Sequence, residues 1–432
     1  MNMLTRLLQA RHIQWYIGLL AIGVASLFTF WIYRGIGGSH HEVLDPDFHG
    51  PLGYGLWKLH RFSYYPQEQL TADRGPLYPL MIAGALAATN GWWPYSVQLV
   101  QCLLFGVLCV LVFWLTQSLW NRSLALIVST LCALDPFLIW YTSRVLVEML
   151  LLLLFTAMIA SVVYLLQRPS FWRACLLGVI IGLATLTKSI FGPYLALTPL
   201  LLLLTAGRRL GVHAVTIFAA GIVVVAPWMI RNGALTGVYS TTVGREGFAL
   251  HQGNDFVQDF WRAPYSVSRL YPLSIARIKA EDPALPETLD ALHFEQARDA
   301  SRWRNAAAKL KGSPGFLLKK IAYNSILFWT LGDTPGKSLA IACLQLPLVA
   351  AFCVFLLRCI RHASNEVVVS AALTAWYFAS HLPVLAVARY SVVLVPTMLA
   401  LSVGLFAASA KRRDSRVWRR DVNLLATASP EV

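Results

Sequence analysis

The chain of 432 residues is 57% hydrophobic and only 13% charged. A soluble domain carries about a quarter charged residues, so an ordinary globular protein is excluded and an integral membrane protein is implied. The formal charge of +15 does not point to nucleic acid, because no basic stripe sits on a soluble domain; arginines at cytoplasmic helix ends account for it.

Apolar runs occur at about 12–33, 95–119, 122–140, 146–166, 173–187, 190–206, 213–230, 338–357, 366–385 and 390–410. Each is close to the roughly 20 residues a spanning helix needs. The first follows Arg6 and Arg11 in the manner of a signal sequence, but no small-residue cleavage site follows it, so a retained first helix is expected. The expected architecture is an all-α polytopic bundle of about 10 (9–12) transmembrane helices with both termini cytoplasmic. The inside connections then carry Arg122, Arg168 and Arg173, Arg208 and Arg209, and Arg358 and Arg361, followed by a basic tail over 411–432. All of these obey the positive-inside rule.

Two large outer loops result, 34–94 and 231–337, within a single membrane domain over 1–432 that has no internal repeat. In the first loop, Leu52, Leu56 and Leu59 recur at helical spacing beside Lys58 and Arg61, which reads as a surface helix. The apolar stretch at about 77–90 is short for a span, and counting it as one would put Arg122 outside and invert every later loop. It reads as an interfacial helix, with Trp92 and Trp93 at the headgroup level. In the second loop, ARIKAEDPALPETLDALHFEQARDASRWRNAAAKLKG has few apolar anchors and predicts a solvated helical cap. KKIAYNSILFWTLGD (about 319–333) reads as a segment that dips back into the membrane.

The polar residues are the informative ones, because ionisable groups are costly near a membrane. Asp45 and Asp47, in HEVLDPDFHGP, suit either a helix cap and turn or general-base chemistry on a hydroxyl. Arg144 and Glu148 are four apart at the start of a span and suit either a structural pair across one helical turn or, for Glu148 at the edge of the hydrocarbon, an acid that orients the sugar or its acceptor. Lys188 lies at the tip of a hairpin between two short spans, which points to a recessed position; snorkelling to the headgroups is the bland alternative. Arg231 and Arg389 lie on the outer side, where short loops disfavour arginine, and arginine forks suit phosphate. No HxxxH, HExxH, Walker or GxSxG pattern occurs, and His40 and His41 beside Asp45 give only a faint metal signal. The cysteines (Cys102, Cys109, Cys132, Cys175, Cys343, Cys353, Cys359) all lie in or beside apolar segments, so neither disulfides nor a Cys-ligated zinc is expected.

These segments together resemble the polytopic glycosyltransferases of the GT-C fold. The resemblance is to bacterial members of the dolichyl-phosphate-mannose–protein mannosyltransferase and aminoarabinose transferase group. It spans roughly residues 12 to 405 and rests on the acid-bearing first loop, ADRGPLYPLMIAGAL, ALDPFLIWYTSRVLVEML, GLATLTKSIFGP, APWMIRNGALTGVYSTTVG with ALHQGND, and ARYSVVLVP. It implies inverting transfer of a sugar from a polyprenyl-phosphate carrier to an acceptor hydroxyl or phosphate on a lipid, glycan or protein. The setting implied is the periplasmic or outer face of a bacterial inner membrane. By the same resemblance Asp47 is the base, with Asp45 the alternative. Arg74 matches the arginine before a proline–tyrosine–proline segment, and Glu148 the acid that opens the fourth span. Lys188, Arg231 and Arg389, the last with Tyr390 beside it, match outer positions that bind the donor. No cofactor is certain from the resemblance and a divalent metal is compatible with it; the partners implied are the lipid-linked donor, the acceptor and membrane lipids. A lipid-linked glycan transporter or flippase is the rival from another class, and it would show inverted repeats. A polysaccharide polymerase or ligase is the rival enzyme.

Overall fold

The computed structural model describes residues 12–32, 45–65, 69–282 and 290–406. The basic tail, Arg6, Arg11, His40 and His41 lie outside the described residues. All ten apolar runs are helical: α1 (Ile13–Leu27), α4 (Tyr95–Leu119), α5 (Arg122–Leu134) with α6 (Pro136–Thr142), α7 (Glu148–Gln167), α8 (Phe171–Thr187), α9 (Tyr194–Ala206), α10 (Gly211–Thr236), α15 (Pro335–Cys359), α16 (Asn365–His381), and α17 (Ala388–Ser391) leading into α18 (Val395–Ser402). Among the described residues seven helical segments are long and apolar enough to cross a membrane, and the pair α5–α6 makes an eighth. Helices α8 and α16, at 17 residues each, are at the lower limit of spanning length. The protein is an all-α, multi-pass membrane protein.

Breaks in the helices follow from local chemistry. Asp135 caps α6 by accepting from the backbone N–H groups of Phe137 and Leu138, and Pro136 occupies the first helical position. The chain bends by 54° there. Asn121, Ser170 and Thr334 cap α5, α8 and α15 in the same way. The core of the bundle is apolar, with Phe105, Phe155, Phe191 and Tyr377 fully buried. Helix α8 packs along α10, and α1 packs along α4. The close approach of α8 to α10 requires glycine: a Cβ on Gly178 would stand 2.3 Å from the Ile217 carbonyl oxygen.

The first loop folds as α2 (His49–Tyr54), continued by a wider turn over Gly55–Leu59, and α3 (Leu77–Ala88). The expected helix is present, and its Leu52 is fully buried where α2 packs on α3. Helix α3 has 12 residues, about 18 Å at 1.5 Å per residue, too short to span. It packs on α2 and α4, with Tyr78, Ile82 and Leu86 buried and Trp92 exposed beyond its end.

The second loop begins later than expected, because α10 continues past Arg231 to Thr236. It folds as α11 (Glu246–Asp259), α12 (Val267–Glu281), α13 (Ala291–Gly312) and α14 (Pro314–Thr330). The helical cap expected over this charged stretch is present as α12 and α13, each with one exposed face, and the opposite face of each packs on α11. Helix α11 is buried along most of its length. Polar pairing replaces the missing apolar anchors: Arg277 bonds Asp255 at 2.8 Å and Asp259 at 2.7 Å, and Arg302 bonds Asp282 at 2.7 Å. Lys320 is fully buried against Asn254, with Nζ 2.7 Å from Oδ1. Helix α14 thereby joins the cap to the bundle, where Phe328 and Trp329 enter the main core.

Candidate active site

The polar residues of interest sit at helix ends on the face of the bundle that carries the cap. Glu148 is the first residue of α7, Lys188 ends α8, and Arg389 lies in the one-turn helix α17. Asp47 lies just before α2. A carboxylate at a helix N-terminus is stabilised by the helix dipole, which favours Glu148 where it stands.

Arg389 organises the group. Its Nη2 donates to Asp47 Oδ2 at 2.7 Å, and its Nε lies 3.0 Å from Glu148 Oε1. The second contact is an ion pair whose angle is too oblique for a hydrogen bond. Glu148 is fully buried, whereas the Arg389 side chain is 30% exposed, so the arginine keeps an open edge. Arg74 donates from Nη2 to the backbone carbonyl of Asp47 at 2.8 Å and fixes the loop from below. Lys188 Nζ lies 3.7 Å from the centre of the Tyr390 ring, is buried, and has no hydrogen-bond partner. The structure therefore brings Asp47, Arg74, Glu148, Lys188, Arg389 and Tyr390 together from five separate segments.

Arg144 and Glu148 do not lie on one helical turn, because residues 143–147 interrupt the helix between α6 and α7. Arg389 partners the glutamate. Gln101 holds the interruption in place by donating to the Thr142 and Arg144 carbonyls at 3.1 and 2.7 Å.

Asp45 and Asp47 have different surroundings. The Asp45 carboxylate accepts from the backbone N–H of His49 at 2.9 Å and of Gly50 at 2.6 Å, which caps the start of α2. Burial raises its pKa to about 6, although those two bonds and Arg74 oppose the shift. Burial alone would also raise Asp47, but Arg389 and then Arg74 outweigh it and hold that carboxyl well below the usual range. Burial and Arg74 push His49 down to about 3, so its ring is neutral at working pH.

The two shifts predict stability effects of opposite sign. Between about pH 4 and pH 6 the folded protein keeps a proton on Asp45 that the unfolded chain has lost. The Asp45 contribution therefore falls as pH rises through that window. Asp47 contributes stability above its ordinary pKa and loses it only in stronger acid. Thermal unfolding from pH 4 to 6 should show the Asp45→Asn variant losing part of the wild-type decline with rising pH. An unchanged slope contradicts the assignment. The same variant should cost roughly 1 kcal/mol of stability as a weakened cap and leave catalysis within a few-fold of wild type.

Arg231 stands apart from the Arg389 group. It donates to the Thr71 carbonyl at 2.7 Å and to Asn232 Oδ1 at 2.8 Å, and its guanidinium lies 4.4 Å from the Trp228 ring centre. It steadies the strand of loop that leads to Arg74. A neighbouring contact does the same: Asp73 accepts from Arg245, Tyr64 and Thr71 at 3.1, 2.9 and 2.8 Å. Asp73 was legible only as the residue before Arg74 in TADRGP. His49, whose ring meets Tyr78 edge-on at 5.1 Å, and His381 also escape sequence reading, because lone histidines carry no spacing signal.

Among the described residues no group of three or more His, Cys, Asp or Glu is placed to hold a metal.

No protein-family model and no curated protein matches the chain. Solved structures do. The Archaeoglobus fulgidus oligosaccharyltransferase in its apo form matches 98% of this chain with TM-score 0.58 and 13% identity. The archaeal oligosaccharyltransferase AglB from the same organism, in complex with an inhibitory peptide and a dolichol-phosphate, matches 98% with TM-score 0.56 and 13% identity. A complex of the A. fulgidus enzyme with Zn and sulfate matches 94% with TM-score 0.53 and 13% identity. The chain spans about half the length of these structures: 53%, 53% and 51% respectively. The fold is thus the GT-C fold, shared with membrane glycosyltransferases.

Proposed function

We propose that the protein is an inverting glycosyltransferase that moves a sugar from a polyprenyl-phosphate carrier to an acceptor on the outer face of a bacterial inner membrane. The observation that carries this reading is the cluster of Asp47, Glu148 and Arg389 beside Lys188, whose Nζ lies over the Tyr390 ring and has no hydrogen-bond partner. It supplies carboxylates and cations at a membrane-facing helix end, which is what cleavage of a sugar–phosphate bond needs. The solved AglB complex with a dolichol-phosphate supports a lipid-phosphate donor by analogy of fold.

In the step envisaged, the acceptor oxygen attacks the anomeric carbon as its proton passes to Asp47. The bond from that carbon to the phosphate oxygen breaks, and its electron pair goes to the phosphate. Arg389 and Lys188 stabilise the charge that develops there, without reorganisation at the moment of reaction. A carboxylate held by Arg389 is a weak base. Each bond that Arg389 transfers to the phosphate leaves Asp47 more basic, so donor binding itself prepares the base. Glu148 keeps Arg389 in place during that exchange, and Arg74 and Arg231 hold the first loop.

Among the described residues the carboxylates at this place are Asp47 and Glu148, which Arg389 already bridges, so the step above is written without a metal. Activity should persist after exhaustive chelation; loss restored by an added divalent ion would reverse this point.

The gene's role is tested by comparing membrane lipids and surface glycans with and without it. An accumulating polyprenyl-phosphate sugar together with one missing glycan modification is expected. An unchanged lipid pool and glycan profile would refute the reading.

A further inference from the structure

Helix α16 offers two polar side chains one turn apart, Tyr377 and His381, that the transfer step does not use. Both are buried. The His381 ring lies 4.7 Å from the Tyr377 ring and 5.0 Å from the Tyr390 ring. Tyr390 also carries Lys188 at 3.7 Å and lies 5.5 Å from the Arg389 guanidinium. One aromatic ring therefore adjoins the two cations assigned to phosphate and also His381.

The histidine's hydrogen bonding is informative. Its Nδ1 is 2.8 Å from the Tyr377 backbone carbonyl. A carbonyl only accepts, so Nδ1 carries the proton, and Nε2 of the neutral ring presents a lone pair. That Nε2 is buried and without a partner, as is the second oxygen of Glu148; the Tyr377 hydroxyl, both donor and acceptor, also has no hydrogen-bond partner. Buried acceptors that lack a donor are costly and call for an explanation. A phosphate cannot supply one, because its oxygens are acceptors too. A sugar can, through its hydroxyl groups.

We propose that His381 Nε2, aided by Glu148, accepts a hydrogen bond from a hydroxyl of the transferred sugar and so sets which polyhydroxylated sugar the site takes. This rests on the glycosyl-transfer reading above. It makes α16 a specificity element and assigns Tyr390 the boundary between the sugar and phosphate halves of the site.

The test measures binding by purified protein in lipid nanodiscs, in parallel for four probes. These are citronellyl phosphate and its gluco-, manno- and galacto-configured phosphosugars, the manno and galacto forms each differing from the gluco form in the direction of one hydroxyl. Wild type is expected to bind citronellyl phosphate and to separate at least two of the epimers by about tenfold or more. His381→Asn keeps an N–H donor for the Tyr377 carbonyl but places no acceptor at the Nε2 position. It should bring the epimers to within about threefold while binding citronellyl phosphate as wild type does. His381→Gln, which can place an acceptor near the Nε2 position, should preserve the separation. Unchanged separation in His381→Asn, equal loss for citronellyl phosphate and the sugars, or no separation in wild type overturns the proposal. Failure of wild type to bind citronellyl phosphate at all would instead bring down the glycosyl-transfer reading on which it rests.

Discussion

Asp47→Asn is expected to lower sugar transfer by about 10²–10⁴-fold, the range for loss of a positioned general base. The protein should remain folded and membrane-inserted. The asparagine amide is nearly isosteric and still offers Arg389 an acceptor, and the loop remains held by the bond from Arg74 to the residue 47 carbonyl. Donor binding should change much less than turnover. Asp45 provides the control, since its carboxylate is committed to the backbone of His49 and Gly50. Near-wild-type turnover in Asp47→Asn with loss in Asp45→Asn would move the base to Asp45. The pH profile gives an independent reading: a base at Asp45 would place the acidic limb of activity near its raised pKa of about 6.

Arg389→Ala is expected to have the second large effect, and on stability as well as donor binding. Arg389 is the shared partner of Asp47 and of the fully buried Glu148. Its removal leaves two carboxylates facing each other with no cation between them. Breaking a buried pair from one side costs about 3–5 kcal/mol; the open edge of Arg389 places the value here toward the lower end. Arg389→Lys should recover much of the stability. It should recover little of the donor affinity, because an ammonium cannot reproduce the two-pronged contact of a guanidinium. Thermal unfolding and citronellyl phosphate binding measured side by side check both parts. A stable Arg389→Ala protein with unaltered affinity would remove this residue from the phosphate site.

The bundle was legible in the sequence because membrane spans announce themselves. A run of some 20 apolar residues flanked by arginines has few other uses, and all ten such runs are helices. The cap was legible only in part, for the converse reason. Helix α13 looks solvated by composition, yet Asp299, Arg302 and Ala306 are buried. The partners that permit this, among them Asp282 and the backbone of Gly247 and Phe248, lie up to about fifty residues away in the chain. Long-range polar pairing leaves no periodic trace.

The site shows both outcomes. Asp47, Glu148, Lys188 and Arg389 were each visible as charges placed where a membrane makes them costly. Their mutual distances were not visible, because residues 47 and 389 meet across the whole fold. The local inference from spacing alone, Arg144 with Glu148, failed because a helix break that Gln101 braces lies between them. His381 was unreadable for a different reason. What distinguishes it is an unused lone pair, and that depends on the Tyr377 carbonyl beneath it.

The most direct test of glycosyl transfer uses purified protein in sealed vesicles, supplied with a polyprenyl-phosphate sugar labelled in both the sugar and the lipid. The account predicts that the two labels part: free polyprenyl phosphate appears, and the sugar label moves to an acceptor with inverted anomeric configuration. Movement of the intact doubly labelled lipid across the bilayer, with the sugar–phosphate bond unbroken, would contradict it and identify a transporter.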